Sequence, residues 1–79
     1  MSGVEHLVTM ANDIANFFRS ESDRQVAIDG IANHIKRSWD PRMCKKIFAH
    51  LQQHDGEGLN ELARAAIVKL ASATPATQS

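Results

Sequence analysis

Residues 34–50 read HIKRSWDPRMCKKIFAH, and the reading of SWDP at their centre decides the fold. Pro41 has no N–H to continue a helix and disfavours helical geometry at the residue before it, so a helix arriving from the N-terminal side must stop near Ser38. The same residues open another helix. Asp40 is a good N-cap, and Pro41 suits the first helical position, where an N–H would have no partner anyway. Trp39, the only tryptophan of the chain, is placed to staple back against the new first turn near Cys44. Two helices thus meet across a very short connection and change direction around the indole, with Asp40, Pro41 and Met43 forming the joint.

Outward from this joint the apolar residues recur at helical spacing, and no stretch alternates as a strand does. On the C-terminal side Met43, Cys44, Ile47, Phe48 and Leu51 predict a helix over 41–53, closed by Asp55-Gly56 and Gly58. A further helix is predicted over 60–71, with Asn60 as its cap, Glu61 in its first turn and Leu59, Leu62, Ala63, Ala66, Ile67 and Leu70 as its stripe. On the N-terminal side Ala27, Ile28, Ile31, Ala32, Ile35 and Trp39 predict a helix over 21–38, opened by Ser20 and Asp23 as a capping box. Val26 and Gly30 fall on its other face, beside Asn33 and Arg37, and Gly30 reads as a tolerated surface glycine or as a mark of close approach by another backbone. The first helix, over 3–19, carries Val4, Leu7, Val8, Ala11, Ile14, Ala15 and Phe18, with Ser2 and Glu5 as its capping box. Met10 and Phe17 widen its stripe towards a second neighbour. The expectation is an all-α, four-helix domain over residues 1–71 and a flexible tail over 72–79. Its inner set is Leu7, Ala11, Ile14, Phe18, Ile31, Ile35, Trp39, Ile47, Phe48, Leu51, Leu62, Ala66 and Ile67.

A core made by 79 residues supplies roughly 3 to 5 kcal/mol, so proteins of this size are commonly reinforced by disulfides, a metal or a partner. A single cysteine, Cys44, excludes a disulfide within the chain. The lone thiol and the lack of an N-terminal apolar run predict a cytoplasmic protein with no signal peptide and no membrane span, and Ser2 in place of glycine predicts no myristoylation. The formal charge is zero, which argues against a global field drawing the chain to nucleic acid or an anionic membrane. The zero is unevenly built. Lys36, Arg37, Arg42, Lys45 and Lys46 stand against Asp40 alone around the joint, whereas acids predominate before residue 36.

No phosphate loop, dinucleotide fingerprint, nucleophile elbow or HExxH motif is present. His50 and His54, four residues apart and preceded by Cys44, are the best metal candidates. C-x5-H-x3-H supplies at most three of the four ligands that structural zinc takes, and the expectation is that the chain holds no metal or cofactor. Cys44 has basic neighbours in Arg42 and Lys45, which lower a thiol pKa, but its place in the apolar stripe predicts burial. Asp13, Glu21 and Asp29 read as solvated acids. The basic cluster has more content: Arg42, Lys45 and Lys46 lie at the N-terminal end of a helix, where the macrodipole disfavours each cation by roughly 0.3 to 1 kcal/mol. A local rule broken without structural gain points to function. Arg37, Arg42, Lys45 and Lys46 are therefore assigned to a partner, and Trp39 is divided between joint and interface. The alternative is a small helix-turn-helix-like regulator of nucleic acid, which the zero net charge disfavours.

The stretches MANDIANFF at 10–18, IANHIKRSWDPRM at 31–43, IFAHL at 47–51 and GLNELARAAI at 58–67 resemble the delta subunit of the soluble, molybdenum-containing, NAD-dependent formate dehydrogenases. The resemblance runs from about Leu7 to Leu70, and WDPRM is its most specific part. It departs at Thr9 and at Cys44, where the family pattern often has a basic residue, so a docking contact made there would have moved elsewhere. The resemblance implies a non-catalytic accessory subunit of a cytoplasmic complex that oxidises formate and reduces NAD. The molybdenum cofactor, iron–sulfur clusters and flavin would reside on larger subunits. The implied partner is the molybdenum-bearing catalytic subunit, which this chain would stabilise or help to mature.

Overall fold

A computed structural model describes residues 3–73. They form four helices, α1 (Val4–Phe17), α2 (Arg24–Ser38), α3 (Pro41–His54) and α4 (Glu61–Ala73), and no strand is found among the described residues. Helices α1 and α4 each pack against the other three, whereas α2 and α3, consecutive in the chain, barely touch. The joint at residue 40 therefore splays α2 and α3 apart around the α1–α4 pair. All four helices contribute to one core, in which Ile31, Ile35, Ile47 and Ile67 are fully buried.

The ends of the helices follow from their capping. Asp40 Oδ1 accepts from Met43 N at 2.9 Å and Pro41 occupies the first position of α3, as expected. Asp40→Ala is predicted to cost about 0.5 to 2 kcal/mol, read as a lower urea midpoint at unchanged m-value. Asn60 Oδ1 accepts from Ala63 N at 2.8 Å and caps α4. At α2 the expectation is corrected. Asp23 is itself the N-cap, accepting from Gln25 N and Val26 N, so the helix starts at Arg24 and Ser20 lies in the preceding turn. α1 starts after Gly3, which offers no side-chain cap; Ser2 lies outside the described residues. It ends at Phe17, where the N–H groups of Phe18 and Arg19 bond three residues back and tighten the chain out of the helix. α3 and α4 run one and two residues further than expected, so Ser72 and Ala73 are helical, and the rest of the expected tail lies outside the described residues.

Several residues of the expected inner set are only half-buried: Ile14, Phe18, Phe48, Leu51 and Leu62 pack against the core from its edge. Val8, Ala15, Ala27, Ile28, Ala32, Ala63 and Leu70 are buried in addition. Phe17 is a plain correction, since it is 80% exposed. Adjacent helical residues are about 100° apart, so one of Phe17 and Phe18 had to leave the inner face. Gly30 decides which. A Cβ at that position would lie 2.5 Å from Phe18 Cε1, and the missing methyl lets the Phe18 ring lie on α2. The glycine is half-buried and faces a side chain rather than a backbone.

Among the described residues, ion pairs of Arg24 with Glu61, Lys69 with Asp29, and Arg64 with Asp55 add to the packing. The first two join α2 to α4 in the same order along both helices, so these two helices run side by side in the same direction. Asp29 is thus partnered rather than simply solvated. The hydrogen bond from Lys69, then that from Gln25, holds its carboxyl below the usual carboxylate range. What this contact contributes is present above the unfolded-state pKa of an aspartate and is lost as the pH falls through the lower folded value. The groups are exposed and the effect is small.

Candidate functional site

The joint positions the residues singled out in the sequence. Trp39 is 6% exposed and lies in the core, with Met43 and Cys44 half-buried against that core. Its N–H donates to Ile35 O at 2.8 Å, closing the last turn of α2. In the isolated chain the indole is part of the interior. Arg37, Asp40, Pro41, Arg42, Lys45 and Lys46 are all exposed. Arg42 and Lys46, with Asp40 and Met43, line a shallow hollow of about 340 Å³ where the first turn of α3 faces Gly3 and Leu7 at the start of α1.

The cations differ in their partners, and Arg19, away from the joint, forms no ion pair among the described residues either. Arg24, Arg64 and Lys69 each have an acid of the chain within ion-pair distance, whereas Arg37, Arg42 and Lys45 form no ion pair with any described residue. Lys46 differs again. It is engaged within the chain, and its Nζ stands 3.8 Å from where a Cβ on Gly3 would be. Arg37, in the last turn of α2, is favoured by the helix dipole, while Arg42 is disfavoured by the dipole of α3. Of the two departures noted above, Thr9 is exposed and Cys44 is half-buried. Burial, and then the Asp40 carboxylate, push the Cys44 thiol up. The thiol is therefore less reactive than its basic sequence neighbours suggest.

The histidine pair is engaged differently from a metal site. His50 and His54 have ring centroids 5.5 Å apart, but His50 is 9% exposed and its Nε2 lies 2.8 Å from Glu57 O. A carbonyl only accepts, so Nε2 carries a proton and donates, and Nδ1 is left buried without a hydrogen-bond partner. His50 ties the last turn of α3 to the loop that follows. Among the described residues no three His, Cys, Asp or Glu side chains form a group that could hold a metal ion, and no helix is long and apolar enough to cross a membrane.

One polar side chain that links distant segments was not singled out in the sequence. Asn12 of α1 donates from Nδ2 to Gly58 O at 2.9 Å and accepts at Oδ1 from Asn60 N at 2.8 Å. It grips the α3–α4 loop from both sides while Asn60 caps α4. The loop itself turns through Asp55 and the buried Gly56, both with positive φ. At Gly56 a Cβ would stand 3.1 Å from Leu59 and 3.3 Å from Leu51.

The geometry defines a small all-α protein of four helices with an exposed cationic edge where α2 gives way to α3. Residues 6–67 match the family of the NADH-dependent formate dehydrogenase delta subunit FdsD. The match spans more than half of the chain, and the chain belongs to that family. No curated protein and no solved structure matches it.

Proposed function

We propose that the chain is a non-catalytic accessory subunit of a cytoplasmic NAD-dependent formate dehydrogenase complex, and that it binds the molybdenum-bearing catalytic subunit to stabilise it or assist its maturation. On this reading the molybdenum cofactor, the iron–sulfur clusters and the flavin belong to the larger subunits. This chain contributes a docking face built from Arg37, Arg42 and Lys45, with Lys46 beside them, and the buried Trp39 supports that face from the core. The observation that carries the reading is the combination of delta-subunit family membership with a cationic joint whose Arg37, Arg42 and Lys45 have no acid of the described chain to meet. Arg42 and Arg37 suit carboxylates of a partner because guanidinium forms bidentate contacts with them.

A helix-turn-helix regulator is less well supported. Such a unit joins its two helices by a turn of about three to four residues, whereas only Trp39 and Asp40 separate α2 from α3.

The test is a triple variant, Arg37→Gln, Arg42→Gln and Lys45→Gln, co-expressed with the larger subunits. The isolated chain is expected to keep its helicity, and its stability to within about 0.5 kcal/mol, as surface substitutions do. Its retention on the dehydrogenase is expected to fall about tenfold or more, with a wild-type interaction that weakens as salt rises. Undiminished retention, or steep salt-dependent binding of duplex DNA by the wild type, overturns the assignment.

A further inference from the structure

Among the described residues, the most exposed large apolar side chain is far from the joint. Phe17, at the C-terminal end of α1, is 80% exposed and Val26, in the first turn of α2, is 50% exposed. They belong to one surface. The Phe17 ring meets the Phe18 ring edge-on with centroids 5.3 Å apart, and Phe18 lies on Gly30, one helical turn after Val26 on the same side of α2. That side continues through Asn33 to Arg37, both exposed. Val26, Gly30, Asn33 and Arg37 fall at i, i+4, i+7 and i+11, a single stripe about 16 Å long. It is apolar at the Phe17 end and cationic at the joint. Helix α2 packs on α1 and α4, with Phe18 at the end of α1 seated on the stripe at Gly30, and is left uncovered by α3.

We infer that this outer stripe of α2, anchored by Phe17 and Val26 and ending at Arg37, is the path along which a larger formate dehydrogenase subunit lies, the partner offering an apolar pocket to Phe17 and carboxylates to Arg37. The inference rests on the accessory-subunit reading above and extends it to a second anchor. Charge and size choose the occupant. Arg37 has no ion-pair partner among the described residues, and beyond it Arg42 and Lys45 continue the same demand for acids. A second copy of this chain meeting it along α2 alone would cover a strip about 16 by 10 to 12 Å, far below the roughly 800 Å² per partner of a stable specific interface. A larger subunit with a concave surface can cover the stripe and the joint together. Exposed aromatic anchors seated in a pocket carry a disproportionate part of such contacts. Gly30 acquires a role here as well, because the notch it leaves holds Phe18 down and presents Phe17 outward.

The experiment uses the full chain co-expressed with the larger subunits, comparing wild type, Phe17→Ser and the triple glutamine variant. Phe17→Ser is expected to leave the circular dichroism and melting of the isolated chain unchanged and to lower its retention about tenfold or more. A photo-crosslinking phenylalanine analogue at position 17 is expected to join a formate dehydrogenase subunit. Retention of Phe17→Ser equal to wild type, or a crosslink only to a second copy of this chain, overturns the inference. If Phe17→Ser is retained while the triple variant is lost, only the path along α2 fails. If the wild type itself is not retained, the accessory reading and this inference fail together.

Discussion

Trp39→Ala is expected to leave the chain largely unfolded at 25 °C. Replacing a buried aromatic by alanine costs about 3 to 5 kcal/mol, and a core of this size supplies roughly the same amount in total. The indole is 6% exposed and lies in the core formed by all four helices. The residue also links the last turn of α2 to the cap of α3 through Trp39 N to Ile35 O and Asp40 Oδ1 to Met43 N. Losing the side chain removes the packing that fixes the angle between two helices with almost no contact of their own. Far-UV circular dichroism through a urea titration measures it, since the substitution removes the only tryptophan. Trp39→Phe is expected to fold with a smaller loss. A Trp39→Ala chain within about 1 kcal/mol of wild type would mean that the joint is held by its caps alone.

Asn12→Ala is expected to cost about 1 to 3 kcal/mol, because it leaves the part-buried Asn60 N of the α3–α4 loop without its partner, whereas Gly58 O, whose bond is exposed, can turn to water. The same loop is held by His50 through Glu57 O, so the loss should appear first as faster amide exchange around residues 56–60 and then as a lower urea midpoint. Asn12→Asp keeps the acceptor for Asn60 N but turns a carboxylate oxygen towards the Gly58 carbonyl. Its loss is expected to be smaller at acid pH, where the carboxyl can still donate, and to grow as the carboxyl ionises. Equal stability of Asn12→Ala and wild type would show that the loop is held by its glycines and His50 without α1.

These two residues also show what could be read from the sequence. The joint was legible because capping and proline chemistry act within a few residues, and Ser38, Asp40 and Pro41 carry that chemistry in their order. The four apolar stripes were legible for the same local reason. Asn12 was not, because an asparagine on a helix signals nothing about the loop 46 and 48 residues away that it will bind. Asp23 is the cap and not, as the Ser20-x-x-Asp23 pattern suggests, the acid that closes a capping box, because serine and aspartate are both good N-caps and either can open the helix. Phe17 and Phe18 are adjacent aromatics, and only the notch at Gly30, on another helix, chooses which one packs. The basic cluster was visible as charge. Lys46 looked equivalent to Arg42 and Lys45, and only the fold shows it engaged within the chain.

The accessory-subunit account is tested most directly by the native mass of the complex formed when this chain, tagged, is co-expressed with the larger formate dehydrogenase subunits. The account predicts that the tag recovers the dehydrogenase with this chain present in a fixed ratio to the catalytic subunit, and that a preparation made without the chain holds less assembled or less metal-loaded enzyme. Recovery of the chain alone at its own 8.7 kDa, beside a dehydrogenase fully assembled and active without it, would contradict the account.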